Sequence, residues 1–403
     1  MTGAPGLARP AGSLAEAMRW EERVQHGAHP VVLPFLRRVA ARGPVVRVPG
    51  IGVVVSDAAL AREVLLDAAT FTKTGPGSPA DLWTPVLGPA VLLNMEGADH
   101  ARLRGRLAGL FTPRAVAELT GPVLAAEGAA LTRALVARET VDLVAMAGRV
   151  AGSVICRMTG LPATDDGVRA AFRDAQEIVG MVRLHRRRLT GAQVRRARAV
   201  LGRLTAHAAI AYREGDEATV PGRMRGLGLS EREALGAVGA FVLTGTETLV
   251  SFVPRLAALL ADTGWDVRLA ASDDPLLAGR VVGEALRITA PTPAMLRSVE
   301  APGRIGDVAV RPGDRVVVAT LLCCRAAGPF DPDTPPPAAV RQLWFGAGPH
   351  FCLGMPLATV QITAVLDALV AAVRERGPLR VVDREVARRV LIPAYASLRV
   401  ACA

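Results

Sequence analysis

Apolar residues recur at helical spacing through most of the stretch from Ala98 to Leu260, where alanine, leucine and arginine follow a 3.6-residue period interrupted by glycine and proline. This pattern predicts a helical body. Ahead of it, Val45 to Val55 reads as two strands around a Pro49-Gly50 turn. Short strands recur at Met295–Val299, Val308–Val310 and Arg315–Val318, the last two joined by Pro312-Gly313-Asp314, and again near Leu379–Val382 and Ser397–Cys402. The proline-rich stretch from Gly328 to Arg341 predicts irregular chain, and Met355 to about Arg374 predicts a helix with Pro356 in its first turn. Neither a repeat nor a long linker divides the chain. The expectation is one domain over residues 1–403, mainly α with minor β gathered on one side.

The longest helix carries an internal violation of its own pattern. Ser230-Glu231-Arg232-Glu233 is a capping box, and the helix that it starts runs to about Leu260. In its middle, Thr244-Gly245-Thr246-Glu247-Thr248 interrupts Phe241, Val242, Leu243 and Leu249, Val250. Glycine and threonine are weak helix formers, and a carboxylate in apolar surroundings is costly unless paired or wetted. A surface stripe would explain the patch less well, because apolar residues flank it on both sides. Local violations of this kind are expected at functional sites.

Composition narrows the class. With 51% hydrophobic and 21% charged residues, the chain is globular. The excess of 48 basic over 37 acidic residues gives +11, and arginine supplies nearly all of it, Lys73 being the only lysine. The densest basic cluster, Arg183 to Arg188 with Arg195, Arg196 and Arg198, reads as a solvated helix face. Aromatic residues at 4% offer little stacking for nucleic acid. Cys156, Cys323, Cys324, Cys352 and Cys402 show no disulfide or zinc spacing, which fits a reducing compartment. Charges break up the first thirty residues, and the apolar run Ala234 to Leu243 is too short to span a bilayer, so the expectation is a cytoplasmic protein without a membrane segment.

One cysteine stands apart. Phe345-Gly346-Ala347-Gly348-Pro349-His350-Phe351-Cys352-Leu353-Gly354 opens onto the helical pattern from Met355. Glycines allow a sharp turn and close approach to a planar group, while the helix terminus favours a thiolate, the form in which cysteine binds metal. This string resembles the cysteine-ligand loop of the cytochrome P450 family, the haem-thiolate monooxygenases, at Phe345, Gly346, Gly348, His350, Cys352 and Gly354. The resemblance implies a single triangular helical domain with small sheets on one side. It further implies that Cys352 is the axial ligand of haem b iron and that His350 reaches a haem propionate.

Further residues match the family in order along the chain. Gly245, Glu247 and Thr248 correspond to the glycine, acid and alcohol of the distal helix. There the glycine lets the helix open for dioxygen, and the acid–alcohol pair passes protons toward it. Thr244 departs from the family's usual small residue. His100, Arg104, Arg297 and His350 form the implied cation set for the two propionates. Glu284 and Arg287 match the structural Glu-x-x-Arg brace, with Arg341 as the nearest third member. Leu322-Cys323-Cys324-Arg325 keeps only the arginine of the family's pattern, which implies relaxed structure there, and Gln342 stands where many bacterial relatives carry histidine.

The implied activity is oxidation of a small organic molecule, hydroxylation or epoxidation, in bacterial secondary metabolism. Electrons would come from NAD(P)H through a ferredoxin or flavodoxin and its reductase. The substrate would be free or bound to a carrier protein, no nucleic acid would take part, and the enzyme would act as a monomer. Phe241, Thr244, Thr292, Ala294 and Met295 are the expected substrate contacts. Two alternatives compete: a peroxide-dependent haem-thiolate enzyme, which would not need Glu247 and Thr248, and a haem-binding sensor or carrier without turnover. A cysteine-nucleophile hydrolase is more distant, since no base is visibly paired with Cys352.

Overall fold

The computed structural model describes residues 13–182 and 188–403; the N-terminal segment with Arg9, and Arg183, Arg186 and Arg187 of the basic cluster, lie outside the described residues. The chain begins with α1 (Leu14–Ala28), whose N-cap Ser13 accepts from the Glu16 amide, and α2 (Val32–Ala40). The hairpin β1 (Val45–Val48) and β2 (Gly52–Val55) turns at Pro49-Gly50 as expected. Then come α3 (Ala58–Leu66), β3 (Phe71–Thr72), α4 (Pro79–Leu87) and α5 (Gly97–Ala108).

The helical body continues with α6 (Pro113–Val136), the two-residue β4 (Val141–Asp142), α7 (Leu143–Thr159), α8 (Asp165–Val179), α9 (Gly191–Glu214) and α10 (Val220–Gly226). Next is α11 (Glu231–Thr263), followed by α12 (Trp265–Ala271) and α13 (Leu277–Thr289). Strands β5 (Met295–Val299), β6 (Gly303–Ile305), β7 (Val308–Val310) and β8 (Arg315–Val318) lead to α14 (Thr320–Arg325). After irregular chain come α15 (Met355–Arg376), β9 (Leu379–Val386) and β10 (Tyr395–Cys402).

Five strands form a mixed sheet in the order β1-β2-β8-β5-β3, with β2 and β8 parallel and the other pairs antiparallel. The sequence pattern missed β6, which pairs only with β7, and also missed β3 and β4. Two residues are too few to show a period of two, and these strands exist only because Phe71 and Thr72 pair with Val299 and Ser298, and Val141 and Asp142 with Val400 and Arg399. Strands β9 and β10 each extend beyond the expected segment because they pair with one another over nearly their whole length.

Helix α11 organises the interior. Its capping box forms in both directions between Ser230 and Glu233, and Gly264 ends the helix in the left-handed conformation. Ala234 to Leu243 pack into one apolar cluster with α5, α7, α8, α9 and α10. Leu249 to Leu260 pack into a second with α6, α7, α13 and α15. The polar patch Thr244 to Thr248 is the seam between these two cores. By length and composition α11 and α15 are apolar enough to cross a bilayer, which the sequence pattern did not indicate; both are core helices, and most of α11 is buried by its neighbours.

A buried ion cluster ties the N-terminal helix to this frame. Arg255 of α11, 1% exposed, forms a two-pronged pair with Glu21 of α1 and also donates to the Thr289 carbonyl (2.7 Å) and the Pro393 carbonyl (3.0 Å). Arg325 of α14 joins it, reaching Glu21 at 3.0 Å and pairing with Glu22. The segment around Arg325 is therefore tightly held, and the expectation of relaxed structure there is corrected. Removing one partner of a buried pair leaves the other charge uncompensated. Glu21→Ala is expected to lower stability by about 3–5 kcal/mol, measured by guanidinium unfolding, whereas Arg169→Ala at the exposed Asp166 pair should change it by under about 1 kcal/mol.

Candidate active site

The cysteine loop is built by backbone geometry that only glycine supplies. Gly346 and Gly348 take positive φ of 81° and 66°. A Cβ on Gly348 would stand 2.6 Å from the Leu65 carbonyl oxygen, so the loop lies directly against the end of α3. The Cys352 amide donates to the Phe345 carbonyl (2.9 Å), which closes the loop and fixes the cysteine beside Phe345. Phe345 in turn stacks edge-on against Phe351. Gly354 caps α15 with no side chain, so no side-chain acceptor competes for the first amides of the helix.

Those amides do not by themselves make a thiolate. Burial pushes the Cys352 thiol above its ordinary value, outweighing the Gly354 and Met355 amides and the nearby Lys73 and Arg104, which pull it down. The helix terminus was expected to favour the thiolate; the apolar surroundings win instead. A coordinating metal ion deprotonates a thiol outright.

On α11, residues 241, 245 and 248 share one face. Phe241 and Leu353, the residue after Cys352, both pack onto the apolar cluster of Phe111, Val116 and Leu357, so α11 and the cysteine loop share one cluster. Thr244 and Gly245 stand exposed in the middle of an otherwise buried helix, and nothing lies within 4 Å of a Cβ placed on Gly245. The helix remains continuous here, in contrast to the expected opening at Gly245. Thr244 and Thr246 bond back to the Ala240 and Val242 carbonyls at 2.8 and 2.9 Å, while Thr248 is 3.4 Å from the Thr244 carbonyl, a weak contact that leaves its hydroxyl available. One Glu247 carboxylate oxygen is buried without a partner, and burial raises the acid's pKa against a weaker opposing bond from Gln176 of α8.

The charged residues expected for the propionates do converge. His100 and Arg104 project from α5, Arg297 from β5 and His350 from the loop. The Arg297 guanidinium, 3% exposed, donates to the Leu296 carbonyl (2.8 Å) and forms no salt bridge among the described residues. Burial lowers its pKa to about 10. His100 is not a cation at neutral pH: burial, then His350 and Lys73, lower it to about 4, so it brings a ring N–H rather than a charge. Its ring lies 4.2 Å from that of His350.

Two members of the cluster escaped sequence reasoning. Glu96, at the N-cap of α5, makes no capping bond; its carboxylate holds His350 Nε2 at 2.6 Å and accepts from the Lys73 amide. Lys73 follows β3, and its amine is lowered to about 7 by burial and then by Arg297. A signal for Lys73 did exist, since a chain that otherwise uses arginine keeps one lysine.

The brace is buried as expected. Arg287 and Glu284 pair at 2.5 Å, 2% and 4% exposed, and Arg287 also donates to the carbonyls of Cys324, Gly328 and Pro329. Glu284 accepts from the Asp331 amide (2.8 Å), so the pair anchors the irregular chain before the loop. Arg341 is not its third member: that side chain is exposed, and backbone carbonyls take its place. Gln342 adopts a left-handed conformation, φ 57°, at the turn into the loop.

The expected substrate contacts separate. Thr244 faces the open side of α11. Phe241 is half-buried and packs edge-on against Phe111, in the cluster with Val116 and Leu357. Ala294 packs with Leu36, Val39 and Val54. Met295 stands beside the loop, its sulfur 3.8 Å from where a Cβ on Gly346 would lie, and Thr292 is half-buried in the turn between α13 and β5.

The residues fit a haem. Arg104 and Arg297 lack carboxylate partners among the described residues, His350 Nδ1 is buried without one, and the Cys352 loop shares an apolar cluster with α11. A model of the cytochrome P450 family matches residues 275–373. Cytochrome P-450 monooxygenase DoxA of a Streptomyces species is 30% identical over 370 residues, covering 81% of this chain and 84% of that one. The chain belongs to the cytochrome P450 family. Erythromycin C-12 hydroxylase of Saccharopolyspora erythraea is 28% identical over 327 residues, covering 76% and 78%. Among solved folds, P450BioI in complex with a fatty-acid-ligated acyl carrier protein superposes with a TM-score of 0.78 at 20% identity, covering 95% and 99%. The P450 reaction that these relatives share needs haem, dioxygen and electrons from redox partners, and this chain is a P450 monooxygenase.

Gly348→Ala combines left-handed strain with a backbone clash. It is expected to cost at least about 1 kcal/mol, and to lower the haem content of the purified P450, read by thermal unfolding and by the Soret-to-protein absorbance ratio.

Proposed function

We propose that Cys352 is the axial haem ligand, that Glu247 and Thr248 are the proton-delivery pair, and that Arg104, Arg297, His100 and His350 hold the propionates. The observation that carries this reading is the gathering of Cys352, at the start of α15, with buried Arg297 and half-buried Arg104, which lack carboxylate partners among the described residues, beside an apolar cluster that the cysteine loop shares with α11. Bound haem would supply dioxygen activation with two externally delivered electrons, inserting one oxygen atom into substrate and releasing the other as water.

The chain's own groups set the conditions for that chemistry. Glu247, half-buried, has its pKa raised by burial, which favours proton uptake, and it keeps one carboxylate oxygen free of a partner next to Thr248. Thr248 presents a loosely held hydroxyl on the face opposite Cys352. The two cores line the seam with apolar side chains on both sides. Thr244 adds a hydroxyl to this wall where the family usually has none, and Thr292 is the second candidate substrate contact. The substrate class is a small organic molecule of mixed polarity from secondary metabolism, hydroxylated or epoxidised in the cytoplasm. Electrons come from NAD(P)H through a ferredoxin or flavodoxin and its reductase. One structural neighbour was solved with an acyl carrier protein, so substrate screens include carrier-bound acyl chains beside free molecules.

The reduced, carbon-monoxide-bound spectrum tests the ligand. A red-shifted Soret band is expected for the wild type and its loss for Cys352→Ser; an unshifted wild-type band overturns the reading. Glu247→Gln is expected to slow turnover by roughly 10²-fold, with Thr248→Ala diverting electrons from NAD(P)H to hydrogen peroxide. Full activity of both variants with peroxide, and none with redox partners, favours the peroxide-dependent alternative. Unchanged electron consumption in both variants favours a haem carrier.

A further inference from the structure

Strand β3 pairs antiparallel with β5 through Phe71↔Val299 and Thr72↔Ser298, and one more step of that register sets Lys73 opposite Arg297. Directly opposed residues on neighbouring strands project to the same face, and like charges there repel. The backbone of Lys73 is pinned on both sides: its amide donates to the Glu96 carboxylate, and its carbonyl accepts from the Ala80 amide (3.1 Å). The side chain is thus held in place by design of the surrounding chain, not by a partner of its own. No hydrogen bond or ion pair engages its ammonium group among the described residues.

Arg297 and Arg104 repel this amine, whereas Glu96 and Cys352 attract it. Lys73, Arg104 and Arg297 together face a single carboxylate, Glu96, and so leave an excess of two positive charges. His100 and His350 add none, since burial lowers both imidazoles. Ferric haem on a thiolate sums its iron, porphyrin ring, two propionates and sulfur to two negative charges. The account closes only when Lys73 is included. Elsewhere the chain uses arginine; here it keeps one lysine, a compact ammonium on a flexible stem.

We propose that Lys73 is a further cofactor-facing cation, which balances the haem–thiolate charge, retains the haem and raises the iron's reduction potential. The inference rests on the assignment of Cys352 as ligand. Reduction adds a negative charge to the site, and a fixed cation nearby favours that state.

The test compares holoenzymes of wild type, Lys73→Met, Lys73→Gln and Lys73→Arg, each first checked for the red-shifted carbon-monoxide band. Loss of haem to apomyoglobin is expected to be about tenfold faster in the Met and Gln variants, and their midpoint potentials lower than wild type in spectroelectrochemical titration. Lys73→Arg, which keeps the charge, is expected to restore both readouts at least in part. A second measurement needs no variant. Because Lys73 is the only lysine, acetylation by an amine-specific reagent reports on one side chain by peptide mass, and haem removal is expected to accelerate it. Met and Gln variants that match the wild type in haem loss and potential, or equal Lys73 acetylation with and without haem, overturn the proposal while leaving Cys352 as ligand. A wild-type band without the red shift overturns the Cys352 assignment and this inference together.

Discussion

Positive charge held inside the fold without matching negative charge is the constraint around which the rest of this structure is arranged. Arg297 is 3% exposed and bonded only to its own neighbour's carbonyl, Lys73 has its amine depressed to about 7, and Arg104 lies within reach of the same cysteine. Such groups destabilise a protein unless an anion joins them. Contrast the Glu21, Arg255 and Arg325 cluster, equally buried, where carboxylates and carbonyls meet the guanidinium groups. One cluster is closed within the chain and serves architecture. The other is left open on one side and calls for a dianionic cofactor.

The frame that holds these charges apart is α11. Its two halves belong to different cores, and the polar seam between them is where neither core claims the helix. Threonines that bond back to carbonyls one turn earlier keep the helix continuous while leaving little apolar surface. Gly245 adds no side chain to this seam, and nothing lies within 4 Å of a Cβ placed there. The helix stability lost at the seam is offset by the packing of Leu249 to Leu260, every residue of which is buried.

What the sequence made legible followed from locality. The cysteine loop, the capping box, the distal patch and the Glu284–Arg287 pair are each written within a few consecutive residues. Glu96 and Lys73 were hidden because their roles depend on a strand of two residues and on a helix N-cap whose side chain is used elsewhere. Phe241 shares the helix face of Gly245 and Thr248, so spacing made it a pocket residue; the neighbours Phe111 and Leu357 that cover it come from distant helices. His100 was read as a cation because charge state is invisible before burial is known. Arg341 was taken for a brace residue where main-chain carbonyls, which carry no sequence signature, satisfy Arg287 instead.

The thiol at 352 shows how these scales combine. A helix terminus with free amides argues for a thiolate, and that argument holds at the surface, where desolvation is small. Here the same residue is enclosed by Phe345, Phe351 and the end of α3, and burial reverses the balance. The amides of Gly354 and Met355 are then better understood as donors to the sulfur, which a bound metal would ionise. They withdraw charge from the thiolate, while Lys73 and Arg104 act on it through space. With haem bound at Cys352, these donors would limit how much electron density the sulfur could pass to the iron.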